Sequence, residues 1–120
     1  MLDLKKLKIQ SYRNILLVNF PGDIDPGIRS TKTGAEVIIY YIGQIGDVRK
    51  FIDLCNSTPL PKNNRTIMVY RKGRTDGVGR DTIISPFRKK HHKGFALKAP
   101  MLCSLSDELS AFVLSKVSEP

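Results

Sequence analysis

The sequence predicts an α/β domain of three layers, built on a mainly parallel sheet of about five strands. Three observations carry this expectation. Apolar runs rich in β-branched and aromatic residues recur at Asn14 to Phe20, Glu36 to Ile42 and Thr66 to Tyr70. They are apolar at successive positions rather than alternate ones, as strands covered on both faces are. Between the second and third runs the period changes to that of a helix, and strand, helix, strand with buried strands is the grammar of a parallel sheet rather than of a sandwich.

Taken in order, Leu4, Leu7 and Ile9 mark a short basic opening turn, and the first strand is stopped by Pro21-Gly22. Residues 21 to 35 hold Pro21, Gly22, Pro26, Gly27 and Gly34 without periodicity. Such a stretch is either a functional loop or a degraded crossover helix. From Asp47 to Cys55, Val48, Phe51, Ile52 and Cys55 fall at helical spacing while Arg49, Lys50 and Asp53 face away. Gly46-Asp47 supplies the start, and Pro59 and Pro61 bar continuation beyond Thr58. The strand Thr66 to Tyr70 follows, adjacent and parallel to Val37 to Ile42. Asp81 then caps at most a short helix that Pro86 cuts off, and Leu97 to Cys103 is extended. The tail stays open at this point: Leu109, Phe112, Val113 and Val117 make a helical stripe, yet Leu109 to Val117 also suits a last strand.

Residues 1–120 are expected to form one domain, since a chain of this length can bury a core without staples. The charge departs from the average: 20 Lys and Arg against 11 Asp and Glu give +9. Such a balance points to a polyanionic partner, nucleic acid above all. No apolar run approaches the length of a bilayer span, so no membrane partner is expected. The opening residues lack a signal-peptide pattern, which places the chain in the cytoplasm. Cys55 and Cys103 show neither CxxC nor zinc-ligand spacing and read as reduced core residues.

Several segments together resemble a small bacterial family of uncharacterised proteins, a domain of unknown function with a reduced, methyltransferase-like Rossmann architecture. They are Asn19-Phe20-Pro21-Gly22 ending the first strand, Lys72-Gly73 ending the middle one, Thr75-Asp76, Arg80-Asp81, and Ser106-Asp107-Glu108-Leu109-Ser110-Ala111. The similarity covers Leu4 to Lys116. The chain departs from the pattern in its basic segment at Arg88 to Lys93, in Leu109 where Trp is frequent, and in a shortened second helix. The resemblance implies a Rossmann-like fold closed by an antiparallel C-terminal hairpin, which turns the open tail into a strand, and it brings no known activity.

Catalytic chemistry finds little support in the residues. An adenosylmethionine site needs a glycine-rich turn after the first strand and an acid for the ribose; Pro21-Gly22-Asp23 offers one glycine stiffened by a proline. No cofactor is expected, and the chain reads as non-catalytic, with a degenerate methyltransferase-like enzyme as the trailing alternative. Asp23 and Asp25 read as turn formers beside Pro26-Gly27. His91 and His92 lie in a run of lysines and do not assemble a base for either cysteine.

The remaining candidate is the basic segment. Arg71, Lys72, Arg74, Arg80, Arg88, Lys89, Lys90 and Lys93 face only Asp76 and Asp81, which concentrates roughly two-thirds of the surplus charge in about a fifth of the chain. The loop leaving Tyr70 sits where open α/β sheets bind ligands, and Gly73, Gly77 and Gly79 allow backbone N–H groups to turn toward an anion. It lacks the P-loop spacing. The segment is therefore either a site for nucleic acid or nucleotide phosphate, or a solvated loop on a protein that acts through protein contacts.

Overall fold

The computed structural model describes residues 3, 5–74, 76–88 and 95–116, and of 88 and 95–101 the backbone alone. Along the chain come β1 (Ile15–Val18), β2 (Val37–Tyr41), α1 (Gly46–Ser57), β3 (Arg65–Arg71), α2 (Arg80–Ile84), a 3-10 turn over Ser85–Arg88, β4 (Phe95–Ser104) and β5 (Leu109–Lys116). The five strands form one sheet in the order β1-β2-β3-β5-β4.

β1 pairs parallel with β2, and β2 with β3, Ile38 lying opposite Leu16 and Thr66. β5 is antiparallel to both neighbours, with Phe112 opposite Met68 on one side and Leu102 on the other. Because β5 reverses against both, β4 points the same way as β1 to β3. The mainly parallel expectation thus becomes a mixed sheet, with four strands sharing one direction and two antiparallel pairings around the fifth. The ambiguous tail is a strand, because the apolar residues of β5 find β3 beside them.

Residue parity sorts the buried strands into two faces. Ile38, Tyr40, Ile42, Met68, Tyr70, Phe112 and Leu114 pack with Val48, Phe51 and Cys55 of α1, and with Ile83, Ile84 and Phe87 of the second helical segment. Val37, Ile39, Tyr41, Ile67, Val69, Ala111 and Val113 take the opposite side, under Leu7 and Ile9 of the opening segment and Phe20, Ile24 and Ile28 of the β1–β2 loop. Helical segments thus cover one face of the sheet and irregular chain the other, so the three-layer arrangement expected from sequence is met on the helical face only. Residues 21 to 35 contain no helix.

The loop also finishes the sheet edge. Ser30 Oγ accepts from the N–H of Leu17 at 3.0 Å, and the N–H of Thr31 donates to the carbonyl of Ile15 at 2.9 Å. β1 therefore does not present a bare ladder to other chains.

Candidate strand-end site

The loops after β1, β2 and β3, and the turn between β4 and β5, meet at one end of the sheet. This is the end at which open α/β sheets hold their ligands. The sequence-chosen basic residues begin there, and the structure places Arg71, Lys72, Arg74 and Arg80.

Arg71, the last residue of β3, forms an ion pair with Asp23 of the β1–β2 loop. The guanidinium, by its hydrogen bond first, holds the Asp23 carboxyl below its ordinary value. Lys72 Nζ donates to Ser104 Oγ and to the carbonyl of Ser106, the latter at 2.7 Å. Arg74 closes a two-pronged pair on Asp76, its Nε 3.0 Å from Oδ1. That contact also lowers the Asp76 pKa. Gly73 and Gly77 adopt φ of +69° and +87°, the left-handed region that favours glycine. Two donors of the loop are used locally: Val78 N–H bonds Asp76 Oδ1 at 3.4 Å, and Gly79 N–H bonds Thr82 Oγ1 at 2.9 Å.

Arg80 differs from these three. It is exposed at the first position of α2, and its positive charge reaches Tyr70. The backbone of Arg88 ends the 3-10 turn. The side chain of Arg88, together with Lys89, Lys90, His91, His92 and Lys93, lies outside the described residues.

Sequence reading missed a second feature at the same end. Asn19 follows β1 with φ of +66°, a conformation that asparagine tolerates, and its Nδ2 donates to the Tyr41 carbonyl at 2.9 Å and to Asp47 Oδ2 at 3.1 Å. Asp47 Oδ2 also accepts from the N–H groups of Gly43 and Gln44 at 2.9 and 3.1 Å. Asp47 is thus not the cap of α1, whose N-cap position is Ile45; it ties the β2–α1 turn to the end of β1. Around this knot lies a cleft of about 460 Å³ lined by Phe20, Pro21, Tyr41, Gln44 and Lys50 among others. A more apolar groove of about 440 Å³ runs between α1 and α2, past Ile45, Val48, Ile52 and Pro86. Asp47 carried a sequence signal only as a helix start, since its partner Asn19 is 28 positions away.

The chemistry-bearing residues are otherwise dispersed. Asp25 Oδ1 accepts from the N–H of Gly27 at 2.8 Å, a local turn, while Asp23 is turned to Arg71. Burial pushes the Cys55 thiol up to about 12. Cys103 Sγ lies 3.3 Å from the Lys6 carbonyl, on the other face of the sheet. Among the described residues no three His, Cys, Asp or Glu side chains are grouped to hold a metal ion, and no helix is long and apolar enough to cross a membrane. No protein-family model matches the chain, and no curated protein or solved structure matches it.

Proposed function

We propose that the protein is a non-catalytic cytoplasmic binding module for polyanions, nucleic acid or a nucleotide phosphate, contacted through basic side chains of the segment from Arg71 to Lys93. One observation carries this reading. With a net charge of +9, carboxylate ion pairs among the described residues form at Lys50, Arg71 and Arg74 alone. Most of the other lysines and arginines among the described residues are exposed, where positive charge attracts phosphate. The contacts we assign are Arg80, Arg88, Lys89, Lys90 and Lys93. Arg71, Lys72 and Arg74 shape the strand-end loops and add to the field. The fold we assign is a reduced Rossmann-like one, in which a single reversed strand is lodged between β3 and β4. A protein-interaction module is the second reading, favoured by the half-exposed Ile45 beside the apolar α1–α2 groove.

Anisotropy titrations with a short fluorescent oligonucleotide test the proposal. Four or five phosphate contacts should weaken binding roughly a hundredfold between about 50 and 200 mM salt. Replacing Arg88, Lys89 and Lys90 together by Glu should abolish binding, whereas Arg74→Gln should leave the salt slope unchanged. Absence of binding at low salt, or an unaltered triple variant, would transfer the function to the interaction reading.

A further inference from the structure

We infer that the guanidinium of Arg65, at the amino end of β3, binds the phosphate group of a nucleotide or of a nucleic-acid strand through its Nε and Nη2 edge, with Arg13 and Lys62 adding charge. The inference takes its ligand class from the polyanion reading and adds a second contact, about 20 Å along β3 from the loop that leaves Arg71. It starts from a cation that the fold holds in place without neutralising. Arg65 is half-buried, and among the described residues no carboxylate lies within ion-pair distance of it. Its guanidinium stands over the Tyr12 ring, 5.9 Å from the centroid. One nitrogen, Nη1, donates to the Asn64 carbonyl at 2.9 Å and to Ser115 Oγ at 3.4 Å.

The groups around it fix its orientation. Asn64 is 2% exposed and pinned by three bonds: Nδ2 donates to the carbonyls of Pro61 at 2.8 Å and Lys116 at 2.9 Å, and Oδ1 accepts from the Lys116 N–H at 2.8 Å. Ser115 Oγ donates to the same Asn64 carbonyl at 3.2 Å, which leaves its lone pairs for the guanidinium. Tyr12 is held in turn, its hydroxyl donating to Asn63 Oδ1 at 3.2 Å and its side chain packed against the buried cluster of the irregular face. Nη1 is thus spent on neutral acceptors, so the charge is not cancelled. Nε and Nη2 have no partner among the described residues and stay open to solvent. Two N–H groups on one edge of a planar fork match two oxygens of a phosphate, and a fork already oriented loses little freedom on binding. The neighbours favour a multiply charged ligand over a lone carboxylate. Arg13 follows Tyr12, Lys62 precedes Asn63, and both are exposed. Glu36 also lies at this end of the sheet, but its Oε1 is engaged by the N–H groups of Arg13 and Asn14, both at 3.1 Å.

The Arg65 Nε–H resonance of the ¹⁵N-labelled protein, titrated separately with inorganic phosphate and with acetate, tests this. Phosphate should shift it saturably, with a dissociation constant near the millimolar level, and acetate at the same ionic strength should bind at least fivefold more weakly. Arg65→Lys keeps the charge and loses the fork, so phosphate binding, read at the Asn63 and Ser115 amides, should weaken at least fivefold. Should that variant prove unfolded, the titration of the parent decides. Adenosine monophosphate and a short oligonucleotide, added separately, identify the source of the phosphate: the one that shifts Nε at the lower concentration is the ligand. An Nε resonance that phosphate leaves in place, acetate binding as tightly as phosphate, or a lysine variant that binds phosphate as the parent does would each overturn the inference. Its failure is separable from failure of the polyanion reading. Oligonucleotide binding that is lost on changing Arg88, Lys89 and Lys90 to Glu, with Arg65 unmoved by phosphate, upholds that reading and removes this site; phosphate binding at Arg65 without oligonucleotide binding does the reverse.

Discussion

The two faces of the sheet are covered by different means, and the difference separates what periodicity can specify from what it cannot. On one face α1 lays Val48, Phe51 and Cys55 over the strands, and Phe51 meets Tyr40 and Phe87 edge-on at 6.1 and 6.3 Å. On the other face no helix is present among the described residues. Leu7 and Ile9 are fully buried in a turn held by bonds such as Leu7 N–H to the Asp3 carbonyl at 3.2 Å and Tyr12 N–H to the Ile9 carbonyl at 3.0 Å. A sheet needs apolar cover, not helices as such. A few pinned side chains on irregular backbone can supply it, provided that the backbone satisfies its own polar groups.

The largest expected effect compares these covers directly. Phe51→Ala should cost about 3 to 5 kcal/mol in urea melts, because a buried aromatic amid rigid neighbours leaves a cavity. Ile9→Ala should cost about 2 kcal/mol, at the low end for a buried aliphatic, since the turn that carries it can settle into the gap. Equal losses at both positions would show that the irregular cover is as unyielding as the helix.

Alkaline pH should sharpen the contrast, because the helical face buries more groups that resist ionisation. Desolvation first, opposed by Lys116, lifts Cys55 from 9.0 to about 12, and burial also raises Tyr40 and Tyr70 above 10.0. The folded pKa of Cys55 is raised, and here the charged form is the one disfavoured. Its contribution is therefore whole below pH 9.0 and drains away as pH rises toward 12. The fall should approach about 1.4 kcal/mol per pH unit above pH 9. Cys55→Ala should flatten the onset of that fall, seen by urea melts at several pH values; an unchanged slope would assign it to the tyrosines.

The two faces also explain how far the sequence could be read. β2 and β3 were legible as unbroken apolar runs and α1 by its helical spacing, and the helix expected over Asp47 to Cys55 lies within Gly46–Ser57. Phe20, Ile24 and Ile28 lie in or beside a stretch broken by Pro21, Gly22, Pro26 and Gly27, so their burial showed only in three dimensions. The tail needed its neighbour: nothing within Leu109 to Lys116 tells a strand from a helix, whereas pairing with β3 does. The basic loop was legible as charge but not as contacts. Asp23 stands 48 positions from Arg71, and that ion pair turns a nominal anion ligand into a tie between loops. Asn19 and Asp47 were hidden for the same reason, being short-range in space and distant in sequence.

The smallest expected effect tests how the helical face is held at its far end. α1 has no basic residue in its last turn, and the local hydroxyls of Ser57 and Thr58 both donate to the carbonyl of Leu54. Lys116 at the end of β5 reaches the helix end from elsewhere, donating through Nζ to the carbonyls of Cys55 at 2.9 Å and Asn56 at 3.3 Å. A cation there also complements the negative end of the helix. The backbone of Lys116 is secured independently, its N–H bonding Asn64 Oδ1 at 2.8 Å and its carbonyl accepting from Asn64 Nδ2 at 2.9 Å. Lys116→Met should thus keep the strand and the apolar stem while removing the cap, at a cost of about 1 kcal/mol in urea melts. Lys116→Arg, which retains the charge and the donors, should recover part of that loss. A methionine variant as stable as the parent would mean that water satisfies those carbonyls equally well, and that α1 is held on the sheet by Phe51 and its apolar neighbours alone.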